Sequence, residues 1–166
     1  FPYKVSTAAS AVVEDNIVYF AAGYGVGSTA IKVGEDNSTE ELWFSEGNKP
    51  VTNHWSTPLV KDGYLYGMFG FKEYGDGPLK CIELKTGKVM WEKSGYGPAG
   101  VCLAGDILVC LGDRGQLTLV KATPDDYEEL SRLDEVIKGK CWSSPIFADG
   151  KIFIRSTQEA ACLDLK

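Results

Sequence analysis

The sequence predicts an all-β fold, a β-propeller of four-stranded antiparallel blades of which about three and a half are present. The first observation is a repeat: residues 55–58 (Trp-Ser-Thr-Pro) return 87 positions later, at 142–145, as Trp-Ser-Ser-Pro. Weaker copies lie before and between these two. The turn markers of the four copies stand 47, 43 and 44 residues apart, at Asn16, Gly63, Asp106 and Gly150. Steps of this length are typical of propeller blades.

The second observation is the spacing and apolar character of the strands. Turn residues within a repeat recur every ~8 to 12 residues, as expected for short antiparallel strands. The strands at 17–20 and 107–111 are continuously apolar, which indicates that both faces of their sheets are covered. A two-sheet sandwich would leave one face wet. A parallel α/β fold would need helices, and only residues 125–135 are a weak candidate for one.

The cleanest repeat shows how a blade is built. We expect its strands at residues 56–60, 64–69, 79–84 and 88–91. The turns between them carry Asp-Gly at 62–63 and Thr-Gly at 86–87, with a glycine-rich loop at 70–77. Extended to the whole chain, this predicts one propeller domain, 1–166, with blades at 6–47, 55–95, 98–137 and 142–166. The last blade lacks its outermost strand.

Composition narrows the classes of function. The 166 residues are 44% hydrophobic and 24% charged, as in an ordinary globular protein. A net charge of −6 argues against a nucleic-acid partner. The apolar stretches are too short to span a bilayer. Five cysteines occur without metal-site spacing, so no metal site is predicted. A disulfide between Cys102 and Cys110 is conceivable, but the apolar runs around the cysteines favour buried thiols.

One segment carries a family resemblance. Residues 81–91 (Cys-Ile-Glu-Leu-Lys-Thr-Gly-Lys-Val-Met-Trp) resemble the tryptophan-docking motif of pyrroloquinoline quinone (PQQ) type propellers. The matching residues are Cys81, Glu83, Thr86, Gly87 and Trp91. Residues 30–43 are a stretched version that ends at Trp43, residues 117–130 have no tryptophan, and residues 162–166 only begin the motif. The resemblance implies that Trp43 and Trp91 pack between blades.

The resemblance also implies a larger assembly. PQQ-type rings have more blades than this, so we expect the C-terminal part of a larger propeller that starts at Phe1 inside a longer chain or after processing. Its partners would be the remaining blades or a second copy, and possibly another protein. The expected location is the periplasm or the extracellular space.

Three functions are compatible with this family. The first is a non-enzymatic scaffold that binds a ligand or a protein, with no cofactor. The second is a fragment of a quinoprotein alcohol or sugar dehydrogenase that uses PQQ and Ca²⁺. The chain has neither the Cys-Cys dipeptide nor the carboxylate cluster that this alternative favours. The third is the sensor or accessory domain of a multidomain protein.

Candidate ligand-binding residues stand next to the innermost strands. Trp55 and Trp142 precede these strands and are expected at the mouth of the central channel, where an aromatic ring can stack on a ligand. They could equally cap the blade core. His54 adjoins Trp55, and Arg114 and Arg155 follow second strands, which we expect to reach the other rim. No residue is predicted to be catalytic.

Overall fold

The computed structural model describes residues 7–47, 50–70 and 77–165, which form four antiparallel β-sheets and contain no helix. Blade 1 comprises β1 Val12–Glu14, β2 Ile17–Ala22, β3 Gly27–Val33 and β4 Thr39–Glu46. Blade 2 comprises β5 Leu59–Lys61, β6 Tyr64–Met68, β7 Leu79–Glu83 and β8 Val89–Lys93. Blade 3 comprises β9 Gly100–Ala104, β10 Ile107–Leu111, β11 Leu117–Lys121 and β12 Glu129–Leu133. Blade 4 comprises β13 Ile146–Ala148, β14 Lys151–Arg155 and β15 Ala160–Asp164.

The sheets follow one another around an arc. Each is a meander in which consecutive strands are hydrogen-bonded neighbours. The first strands β1, β5, β9 and β13 contact one another in that order, so they form the inner side of the arc. This is a partial β-propeller, and the predicted fold class is confirmed.

The tight turns explain the spacing of the repeat. Asp15, Asp62 and Asp149 each have φ near +50° in the turn after the inner strand, a conformation that Asp and Asn tolerate better than most residues. A backbone N–H at the end of the third strand then donates to this turn. In blade 2 the bond runs from Leu84 to the Gly63 carbonyl at 2.9 Å, with equivalent bonds in the other three blades.

Three apolar cores lie between the four blades. The central strand β10 shows the arrangement: Leu108 packs against blade 2 and Val109 packs against blade 4, and neither has any exposed surface. Both faces of the strand are therefore covered, which is why its sequence is continuously apolar. Burial of this kind contributes about 1.5–3 kcal/mol per large apolar side chain.

Two tryptophans bridge neighbouring blades. The Trp43 indole of blade 1 donates from Nε1 to the Leu84 carbonyl of blade 2 at 2.8 Å. Gly87 lets the ring approach, because a Cβ there would lie 2.9 Å from it. Trp91 of blade 2 repeats the arrangement, donating from Nε1 to the Thr123 carbonyl of blade 3 at 2.7 Å.

Some strand predictions were wrong. Residues 56–57 and 143–144, expected in inner strands, precede β5 and β13. Pro58 and Pro145 explain this, because proline cannot donate to a ladder and restricts the residue before it. Residues 125–135, the weak helix candidate, contain strand β12.

The cysteines are not paired. All five lie in the described part of the chain and are free thiols, so the conceivable Cys102–Cys110 disulfide is absent. Cys102 pairs in register with Val109 instead. Cys162 is exposed, contrary to the expectation of burial. Most of the predicted glycine-rich loop, residues 71–76, and the predicted blade limits at 6 and 166 lie outside the described residues.

Candidate ligand-binding site

The candidate residues gather on one face of the arc. Antiparallel pairing places the start of each inner strand beside the end of the second strand, as in the pair Gly100–Leu111. The segments that link one blade to the next and the loops between second and third strands therefore share a face, which we call the link face. Arg114 and Arg155 lie on this face with Trp55 and Trp142. Their expected placement on the other rim was wrong.

Four aromatic rings form a continuous run along the link face. The Tyr24 and His54 rings are 4.9 Å apart between centroids, and His54 and Trp55 are 5.0 Å apart, both edge to face. Trp55 and Trp142 follow at 5.0 Å with a 37° tilt. Such separations are those of favourable aromatic pairs. The run connects a loop of blade 1 to the segment that enters blade 4.

The two tryptophans differ in what they offer to a ligand. Trp55 is half-buried and donates from Nε1 to the Pro98 carbonyl at 2.9 Å, which ties blade 2 to the segment that enters blade 3. Trp142 is 38% exposed. The suggestion that both residues cap the blade core thus describes Trp55 better, while Trp142 presents an open aromatic surface.

His54 belongs to the support of the site. Its side chain is 9% exposed, and its carbonyl accepts the Ala9 N–H at 3.1 Å. Ser56, two residues further on, is also buried, so neither side chain stands open to a substrate. The pair provides no nucleophile with an oriented base.

One cationic group lies over the exposed tryptophan, and a second lines a cavity with it. The Lys140 Nζ lies 4.9 Å from the centre of the Trp142 ring, a cation–π distance. Lys140 and Arg114 also line an open cavity of about 630 Å³, together with Gly139, Thr157 and Gln158. Arg155 is exposed at the end of β14 and is not among the described residues that line the cavity.

Hydrogen bonds between Lys140 and Thr157 hold this cavity in shape. The Lys140 N–H donates to Thr157 Oγ1 at 3.2 Å, and the Thr157 N–H donates back to the Lys140 carbonyl at 3.0 Å. The next residue, Cys141, donates its N–H to the Asp113 carbonyl at 3.1 Å. Burial raises the pKa of the Cys141 thiol, so it stays protonated at neutral pH and is not a nucleophile.

Sequence reasoning missed four contributors to the site: Tyr24, Asp113, Lys140 and Thr157. Lys140 stands only two residues before Trp142, and this closeness in the sequence could have identified it as part of the site. Asp113 is 1% exposed, and its carboxylate packs against the backbone of Gly97. Three blades supply these residues, and no local pattern marks them.

The chemistry of the link face suits a flat ligand with an anionic or carbonyl group. Trp142 offers a stacking surface, and Lys140 and Arg114 offer positive charge. Calcium needs several oxygen ligands, usually with more than one carboxylate. The residues that line this cavity are cationic or neutral, and they do not fit that ion. Within the described ranges no group of three or more His, Cys, Asp or Glu side chains has the arrangement of a metal site.

Solved structures share the fold at low sequence identity. BamB from Moraxella catarrhalis matches 93% of this chain with a TM-score of 0.66 and 13% identity. The computationally designed Ika4 protein matches 99%, with a TM-score of 0.67 and 14% identity. Quinohemoprotein alcohol dehydrogenase from Comamonas testosteroni matches 90%, with a TM-score of 0.60 and 16% identity. These likenesses support a PQQ-like β-propeller fold. No protein-family model and no curated protein sequence matches the chain.

The matched fractions of those structures differ. This chain spans 42% of BamB and 29% of the dehydrogenase, but 94% of the designed Ika4 protein. The chain thus corresponds to less than half of each of the two natural proteins. No helix in the described ranges is long and apolar enough to cross a membrane.

Proposed function

We propose that this chain is part of a non-enzymatic PQQ-like propeller scaffold, completed by further blades or a second copy, that binds a ligand or a partner on its link face. The observation that supports it best is the exposure of apolar residues on the two end blades of the arc. Each end presents an apolar row that has a buried counterpart between inner blades.

The row at the end of blade 4 consists of Ile146, Phe153 and Cys162, which are paired in register. Ile146 is 62% exposed and Phe153 is 42% exposed. The corresponding residues of blade 2 include Tyr66 and Cys81, which are 1% and 0% exposed because blade 3 covers them. The row in blade 4 therefore has the composition of a blade interface without the covering blade.

The row at the start of the arc consists of Val13, Val18 and Ile31 on the opposite face of blade 1. Val13 is 57% exposed, and the other two are half-buried. Their counterparts in blade 2, Leu65 and Ile82, are fully buried against blade 1. The two ends are thus unlike surfaces that fit head to tail, the arrangement by which rings close.

The ligand proposed for the link face is a planar ring that bears an anionic group. Trp142 would stack on the ring, while Lys140 and Arg114 would attract the charge. A suitable probe is 1-naphthalenesulfonate, with binding followed by the NMR signals of the naphthalene ring itself, which remain available when Trp142 is replaced. We expect Trp142→Ala to weaken binding at least fivefold and Trp142→Phe to retain most of it. The affinity should fall as salt rises. If the Trp142→Ala and Trp142→Phe variants bind the probe equally well, Trp142 does not stack on the ligand.

The dehydrogenase alternative rests on the fold that the chain shares with the quinohemoprotein enzyme. A titration with PQQ and Ca²⁺, followed by a dye-linked dehydrogenase assay, separates the two functions. The scaffold proposal expects no saturable PQQ binding and no turnover. Tight PQQ binding with alcohol- or sugar-dependent dye reduction would overturn it in favour of the enzyme.

We also propose a periplasmic or extracellular location, because the PQQ-type repeats resemble a family with exported members. Subcellular fractionation of the source cells tests this. Recovery of the protein with cytoplasmic markers alone would contradict it. The sensor or accessory role would be favoured if the remainder of the gene product carried a signalling or catalytic domain.

A further inference from the structure

Strand registers define one equivalent position in the outer strands of blades 1, 2 and 3. It is the residue just after the β-bulge of the outer strand, where the pairing with the third strand shifts by one residue. The third-strand partners are Ala30, Cys81 and Leu119. The position itself is occupied by Trp43 in blade 1, Trp91 in blade 2 and Ser131 in blade 3. Blade 3 thus has a serine where the other two blades have an indole.

A cavity lies where the third indole would be. It has a volume of about 140 Å³ between blades 3 and 4. Its lining consists of Leu117, Leu119, Leu133, Ile152, Leu163 and Leu165, together with the polar residues Ser131 and Asp164. In another protein an enclosed apolar cavity of about 150 Å³ binds benzene, so a space of this size can hold an aromatic ring. The cavity is therefore large enough for an aromatic ring, and most of its lining is apolar.

The cavity also opens to solvent, so a ligand can reach it. Leu133 is 54% exposed and Leu165, which lines the other side, is 43% exposed. Ser131 itself is exposed on the outer strand of blade 3. Apolar side chains that stay exposed around a cavity mark a site where covering them releases water at a favourable free energy.

The polar partner of an indole is present as well. Trp43 donates its ring N–H to the carbonyl of Leu84, and the Leu84 N–H is bound to the turn carbonyl of Gly63. In blade 4 the corresponding residue is Leu165, whose N–H is bound to the turn carbonyl of Gly150 at 3.0 Å. By its place in the strand the Leu165 carbonyl corresponds to the Leu84 carbonyl, and Leu165 lines the cavity.

We propose that the cavity between blades 3 and 4 is a binding site for a flat bicyclic aromatic ligand of the indole type. The ring would lie between the leucines, in the place that Trp43 and Trp91 fill between the other blades. Its N–H would donate to the Leu165 carbonyl. This site is separate from the link face and does not depend on the function proposed for it.

The test is a titration of the 166-residue chain with indole, followed by the NMR signals of the cavity's leucine and isoleucine methyl groups. We expect saturable shifts at Leu117, Ile152 and Leu163, with a Kd on the order of 1 mM for a ligand of this size. Ser131→Trp fills the site with the protein's own indole. That variant should melt several degrees higher and bind indole at least tenfold more weakly.

Two further variants and one analogue complete the design. Ser131→Ala leaves the cavity open and should bind indole as the natural chain does. Ser131→Phe fills it partly and should bind severalfold more weakly, which provides a second reading if the tryptophan variant folds poorly. Benzothiophene lacks the N–H and should bind several times more weakly than indole. Unchanged indole binding in Ser131→Trp and Ser131→Phe, shifts confined to another region, or equal affinity for benzothiophene would overturn the proposal.

Discussion

Removal of the Trp91 side chain tests how the blades are held together. Trp91 is 7% exposed, and its ring centroid lies 6.1 Å from that of Tyr66 and 5.8 Å from that of Tyr127. Its Nε1 donates to the Thr123 carbonyl of the next blade. Deletion of a buried tryptophan side chain costs about 3–5 kcal/mol, and that range includes the cavity left behind. Loss of the donor to the partly buried Thr123 carbonyl adds to this cost, by less than the ~1–3 kcal/mol of a fully buried group. We expect Trp91→Ala to lower the free energy of unfolding by at least about 3 kcal/mol.

Urea unfolding, with the slope compared between variants, measures this effect. The matched control is Trp142→Ala, because Trp142 is 38% exposed and should cost less than about 1 kcal/mol. Trp91→Phe keeps much of the apolar contact but loses the hydrogen bond, and it should lie between the two. If Trp91→Ala and Trp142→Ala lower stability equally, Trp91 does not join the blades as described.

Two further predictions concern the backbone and pH. Gly97 has φ +72° and packs against the Asp113 carboxylate, so Gly97→Ala should lower the free energy of unfolding by more than about 2 kcal/mol. Gly105 has φ +63° but open space around it, so Gly105→Ala should lower it by about 1 kcal/mol in the same urea assay. Burial raises the pKa of the Cys81 thiol from 9.0 to about 12. The folded state thus holds this proton more tightly than the unfolded chain, and the free energy of unfolding should fall by up to about 1.4 kcal/mol per pH unit above about pH 9. Cys81→Ala should reduce that slope and Cys162→Ser should leave it unchanged, and the opposite pattern would contradict the burial argument.

The blade architecture was accessible from sequence because its signals are local. Turn residues such as Asp62 and Asp149 recur at the spacing of the blades. A continuously apolar strand such as β10 indicates that both faces of its sheet are buried. These signals depend on neighbours along the chain. They therefore predicted the strand order within each blade, although Pro58 and Pro145 delay the inner strands beyond the predicted start.

The sites were less accessible because they form between blades. Lys140 lies close to Trp142 because the two residues are near each other in the sequence. Tyr24 and Asp113 lie on the link face only because the blades pack together in the arc. The absence of a tryptophan in residues 117–130 was visible in the sequence. That Ser131 stands at its position, beside a cavity, depends on the register of two strands and the packing of two blades.

The most direct test of the account is the solution mass of the 166-residue chain, measured by sedimentation equilibrium over a range of concentrations. If the ends of the arc are unfilled blade interfaces, the mass should rise above the 18.1 kDa of one chain as concentration increases. Phe153→Glu in the end row of blade 4 should weaken association at least tenfold. Leu130→Glu, at a similarly exposed position on the outer strand of blade 3, should not. A mass of one chain at every concentration, or equal effects of both substitutions, would contradict the claim that this arc is built to be completed.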